Sequence, residues 1–167
     1  MGGLSWAKYL FFMLVCLCLL HAAYGYLMLP ETVASHFNAA GIANAWASKK
    51  LFIGIYAGAA ALCSGLFGTM GALFARMPES MINLPHREYW LSPERRGETF
   101  AFLELYGYLF GASTLVLLLF VFHQAFRVSL GHISALEHMP AALGTYLVVS
   151  LGLTVIFIGR FMRRPEK

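Results

Sequence analysis

Aspartate is missing from this chain of 167 residues, and eight glutamates supply all of its side-chain negative charge. Charged residues make up 12% of the chain, against roughly a quarter in soluble domains. That deficit excludes an ordinary water-soluble surface. Cysteine is scarce as well. Cys16, Cys18 and Cys63 all fall inside apolar runs, so no disulfide framework outside a membrane is available. Cys16 and Cys18, two apart on a helix, point in different directions and do not suit a shared metal. The chain has no G-x-S-x-G, no Walker loop, no dinucleotide fingerprint and no H-E-x-x-H. It also lacks paired carboxylates at a common depth, and the balance is against an enzyme.

Apolar residues are abundant: 59% of the chain is hydrophobic. They concentrate in four runs, at about residues 9–29, 51–75, 100–122 and 141–161. Each is longer than the roughly 20 residues a helix needs to cross about 30 Å of hydrocarbon. The expected architecture is all-α, a single membrane domain forming a four-helix up-down bundle. Lys8 ahead of the first run resembles a signal-peptide start. The run is too long for that and lacks a small-x-small site, so it is read as a span.

The formal charge of +4 raises nucleic-acid binding, but its distribution argues against it. Lys8, Arg76, Arg87, Arg95, Arg96, Arg160, Arg163, Arg164 and Lys167 fall on one side if every run crosses; Lys49, Lys50 and Arg127 fall on the other. The positive-inside rule then places both termini in the cytoplasm, with outer loops at 30–50 and 124–140 and a cytoplasmic loop at 76–99. Within that loop, Ser92-Pro93 reads as an N-cap and first helical residue, and Tyr89 and Trp90 as an interfacial anchor. Phe126, Leu130, Ile133 and Leu136 suit a segment lying along the outer interface.

Small residues mark a packing face. Gly54, Gly58, Ala61, Gly65, Gly68 and Ala72 recur at alternating steps of four and three, and Gly107, Gly111 and Thr114 continue that rhythm in the third span. Close approach through such faces drives helix association in lipid. The reading favours a seam between spans two and three over a homo-oligomer contact. Glu104 is the only acidic residue within the four runs. Pairing with Arg76 is its plainest role, and a proton or ion role the sharper one.

Histidine is uneven. His21, His36, His123, His132 and His138 share the outer side in this topology, and only His86 lies opposite. A metal site, a haem or a pH sensor would each use such a set. The metal candidates are His21, His123, His132 and His138, and only His21 and His123 offer matched depth on facing helices for haem. Ordinary interfacial hydrogen bonding is the blander reading and is preferred, with no cofactor expected.

The first outer loop carries His36-Phe37-Asn38, then Gly41, Asn44, Trp46 and Lys49, shortly after Leu29-Pro30. This resembles the pattern L-P … H-F-N-x-x-G-x-x-D-x-W-x-x-K of a bacterial family of small multi-span membrane proteins, shared with immunity proteins against a sporulation-delaying toxin. The stretch from Asn83 to Glu94 also resembles what some of those proteins carry between spans two and three. Asn44 stands where the family usually has Asp, which removes a carboxylate. The resemblance implies a fold and topology more than a biochemistry, and with them a bacterial inner membrane. Physically, Asn38 and Gly41 suit a tight turn. Phe37 and Trp46 can fold back over the bundle end, and Lys49 can snorkel. A structural cap, a recognition surface for a peptide or protein on the outer face, and a metal site are all open at this point. The chain as a whole reads as a non-enzymatic binding, immunity-like or accessory module in a lipid bilayer. Alternatives are a small metal- or haem-binding redox protein and an oligomeric transporter subunit.

Overall fold

A computed structural model describes residues 2–163. It is mostly helical, and four of its helices are long and apolar enough to cross a membrane. Helix α1 spans Gly2–Met28 and leads into two short strands, β1 (Thr32–Phe37) and β2 (Ala43–Ser48). Helix α2 (Lys49–Gly68) is followed by α3 (Met70–Arg76), a single 3₁₀ turn at Glu79–Met81 and the one-turn α4 (Arg87–Trp90). Helix α5 runs over Arg96–Ser129 and α6 over Met139–Met162. The pair of antiparallel strands corrects the all-α expectation: the segment taken as a loop is a β-hairpin.

The helix boundaries follow local chemistry. Ser48 caps α2, its hydroxyl accepting from Leu51 N at 3.3 Å, which satisfies one of the amides left open at a helix start. The second apolar run is broken at Thr69, whose hydroxyl donates to Gly65 O at 2.6 Å. Back-bonding of this kind next to glycine bends helices, and α3 restarts at Met70. Helix α5 begins at Arg96, after a turn in which Arg95 N and Arg96 N both donate to Ser92 O. It therefore starts three residues beyond Pro93. At its other end it continues to Ser129, well past residue 122. Its 34 residues make a rod of roughly 50 Å, longer than the hydrocarbon layer of a bilayer, about 30 Å. Phe126, expected along an interface, is instead buried within the core.

That core lies among α1, α2 and α5, with Phe11, Tyr56, Leu115 and Phe126 at its centre and Val33 of β1 plugging one end. Tyr56 stacks on Phe122 at 4.2 Å between ring centroids, and His21 stacks on Phe126 at 4.4 Å. Helix α6 contributes nothing to this cluster. It packs on α5, through Tyr106 Oη donating to Leu153 O at 2.8 Å and an aromatic group of Phe102, Phe157 and Phe161. Phe161 is its only buried residue. The arrangement is a three-helix core with a fourth helix attached to one side, and the α5–α6 seam keeps two apolar clefts of about 370 and 260 Å³.

The small-residue stripe divides in two. Gly54, Gly58 and Gly65 have open space where a Cβ would stand, and Ala61 is exposed, so within the chain they make no contact with α5. Gly68 faces Phe11 of α1. Gly107 and Gly111 do receive α2: a Cβ would stand 3.0 Å from Phe67 O at Gly107 and 2.8 Å from Phe67 Cβ at Gly111. Bulky aromatics, Phe67 of α2 and Phe11 of α1, and not a matching glycine face, fill the small face of α5.

Candidate functional site: a hairpin at one end of the core

The hairpin forms because its two arms and its turn agree. Ala43-Asn44-Ala45-Trp46-Ala47-Ser48 alternates small and larger side chains, and its exposure alternates with it. Period two is the strand signature. Four residues, from Asn38 to Gly41, close the turn. Asn38 Oδ1 accepts from Ala40 N and Ile42 N, each at 3.0 Å, while Gly41 N donates to Asn38 O at 2.9 Å. Gly41 has φ +75°, a left-handed value that glycine adopts without steric cost. The strands pair Thr32 with Ser48, Val33 with Ala47 and Ala34 with Trp46, and then lose register at Ser35 before His36 meets Ala45. A bulge of this kind re-aims side chains.

The hairpin is fastened to the helices at three points. Ala34 N donates to Ser129 Oγ at 3.1 Å. Gly41 O accepts from Leu136 N at 2.9 Å, joining the hairpin tip to the 130–138 segment. That segment is itself held by an Arg127–Glu137 ion pair at 2.9 Å. The third point is Lys49, whose ammonium donates to Leu29 O at 3.2 Å, pairs with Glu31 at 2.9 Å and lies over the Tyr26 ring. Its side chain is only 13% exposed, so Lys49 is a clamp at the base of the hairpin. In response, the hydrogen bond and positive charge of Lys49 hold the Glu31 carboxyl below the usual carboxylate range.

The motif residues therefore separate by role. Phe37 packs against the core. Asn38 and Gly41 shape the turn, and Lys49 ties the base. His36, Asn44 and Trp46 are all exposed, Trp46 at 61%. Trp46 does not fold back over the bundle end. His36 Nδ1 has only Ser35 Oγ nearby, at 3.3 Å. Ile42, 52% exposed, adds an apolar side chain beyond the turn.

The remaining candidates lie elsewhere. His21 and His123 do meet, Nε2 to Nδ1 at 3.4 Å, and His21 Nδ1 lies 3.2 Å from the buried Tyr56 hydroxyl. Both ring nitrogens of His21 are thus engaged, and two imidazoles in direct contact leave no gap for a macrocycle between them. His132 and His138 sit in the 130–138 segment, exposed, with His138 at φ +56° ahead of α6. Among the described residues no three His, Cys or Glu side chains converge on one point. Glu104 faces Gly71, where a Cβ would come within 2.7 Å of it, and accepts from Tyr108 Oη at 2.9 Å. Its partner is this tyrosine and not Arg76. The missing side chain of Gly71 is what lets α3 approach α5 there.

Residues 13–58 are similar to a domain of unknown function, DUF1648. That stretch begins inside α1 and ends inside α2, and so contains the hairpin, its turn and its clamp. No curated protein and no solved structure matches the chain.

The sequence reading missed the strands and the inward role of Lys49. The strict alternation of Ala43–Ser48, set opposite Thr32–Phe37 across an N-x-x-G turn, was the signal for the first. Nothing in the sequence marks the second.

Proposed function

We propose that this is a non-enzymatic module of a bacterial inner membrane, with an up-down order of spans and both termini cytoplasmic. In this reading its outer hairpin presents His36, Asn44 and Trp46 to a protein or peptide partner. The carrying observation is the division of labour within the motif. Asn38, Gly41, Phe37 and Lys49 are consumed in making and fastening the hairpin, while an imidazole, an amide and an indole stay exposed on it. Exposed aromatics with adjacent hydrogen-bonding groups are what protein interfaces concentrate. Sidedness draws support from the nine-to-three split of basic residues.

A photo-reactive amino acid at position 46 or 44 tests the partner. It should give a discrete adduct in cells that the same probe at the lipid-facing Leu62 does not. Equal, diffuse labelling at all three positions would remove the recognition role. Cysteine at position 44 should react with an impermeant reagent in intact cells while cysteine at position 87 stays unlabelled. The reverse pattern would invert the topology.

A further inference from the structure

At the opposite end of the molecule, α4, the start of α5 and the end of α6 converge around an open cleft of about 600 Å³. Among the described residues three arginines line it, Arg95, Arg160 and Arg163, against a single carboxylate, Glu98. Glu98 is already engaged by Arg160 Nη2 at 2.6 Å. Two of the cations are held by rings: Arg95 lies 4.1 Å from the Tyr89 centroid and Arg160 lies 4.2 Å from that of Phe102. Stacking of this kind fixes a guanidinium without neutralising it. In the wall, Trp90 Nε1 and Arg160 Nε are buried donors with no acceptor among the described residues. On the α6 side the lining changes character. Val155 and Ile156 are apolar and exposed, and they carry the cleft into the surface that faces hydrocarbon.

We propose that this cleft binds an anionic glycerophospholipid, its phosphate between Arg95, Arg160 and Arg163 and an acyl chain along Val155 and Ile156. Guanidinium groups match phosphate oxygens in geometry as well as charge. Basic pockets between spanning helices are known to take anionic head groups. A free phosphate ion would account for the arginines and not for the apolar wall; a neutral lipid would account for the wall and not for the surplus of positive charge. The proposal rests on the reading of the chain as membrane-spanning, and is independent of the hairpin's partner.

Gly159 supplies a clean probe. It lines the cleft, and a Cβ built on it meets nothing within 4 Å among the described residues, so Gly159→Leu puts bulk into the cleft from a position with room for a side chain. Arg95→Gln with Arg163→Gln removes two charges that hold no ion pair among the described residues. The full chain in detergent, titrated with phosphatidylglycerol, phosphatidylcholine or inorganic phosphate, is followed by native mass spectrometry and thermal unfolding. We expect one phosphatidylglycerol to be retained and to raise Tm, and phosphatidylcholine and inorganic phosphate to do neither. The double variant should bind it roughly 30-fold more weakly, and Gly159→Leu should lose it at an unchanged lipid-free Tm. Equal retention of phosphatidylcholine would reduce the site to a general lipid contact. Stabilisation by inorganic phosphate alone would make it an ion site, and wild-type affinity in both variants would place the lipid elsewhere. Loss of crosslinking at position 46 leaves all these outcomes untouched, so the two proposals fail separately.

Discussion

At the scale of single residues, the hairpin depends on one backbone conformation and one buried cation. Gly41→Val should destabilise the protein by at least about 1–2 kcal/mol, the cost of a left-handed conformation for a residue with a Cβ. The added Cβ would also stand 3.0 Å from the backbone of Leu136, so thermal unfolding should show a clear loss of Tm. Trp46→Ala, at a side chain 61% exposed, should melt normally. A normal Tm for Gly41→Val would sink the account of the turn. Lys49→Met leaves the Leu29 carbonyl without its donor, a penalty of about 1–3 kcal/mol. Glu31→Gln removes only the exposed half of the pair and should cost less. The depressed carboxyl of Glu31 fixes the sign of the pH effect. Its contribution is present above the ordinary carboxylate range and fades as pH falls through the lowered pKa. Wild type and Glu31→Gln should therefore converge in stability in acid, and divergence there would show that the pair acts otherwise.

At the scale of elements, the spans were legible in the sequence and their packing was not. Runs of apolar residues with few charges report how long a helix can remain in hydrocarbon, and α1, α2, α5 and α6 each overlap one such run. A glycine stripe reports only where a backbone is able to come close. Whether anything does come close is a tertiary fact, and for Gly58 and Gly65 nothing among the described residues does. Phe67 and Phe11 occupy the small face of α5 instead, a pairing that spacing along either helix does not encode. Gly111→Leu should therefore abolish stable folding by overpacking against Phe11 and Phe67, and Gly58→Leu should be close to neutral in detergent melts. Equal damage from both would mean that Gly58 is covered, and a second copy of the chain would then be the occupant to look for by crosslinking. The hairpin was half legible. Asn38 and Gly41 announce their turn, but the alanine-rich second arm carries little strand propensity of its own, and the pairing is stabilised by Ser129 and Leu136 from far along the chain.

At the scale of the molecule, the two ends differ in chemistry. One end carries a hairpin with an aromatic and two hydrogen-bonding side chains exposed; the other carries a basic cleft floored with aromatics. Between them the core is continuous through α1, α2 and α5. The division between residues that hold the hairpin and residues that project from it needed the coordinates. In sequence, His36 and Asn38 are two apart and look alike as polar loop residues. In space one side chain is spent on Ala40 N and Ile42 N while the other faces outward.

The attachment of α6 to α5, outside the shared core, bears on the order in which the protein is made. Every residue of that core has been joined to the chain by the time Leu130 is added, and Leu136, which closes the clasp on Gly41, follows six residues later. Helix α6 follows both in the chain and meets α5 through Tyr106, Phe102 and the Glu98–Arg160 pair. A chain ended after His138 should accordingly insert, fold its hairpin and resist proteolysis at the core much as the longer chain does. Rapid degradation of that shortened form in cells, with no protected fragment in detergent, would show that the last helix is a partner in folding and not a late addition.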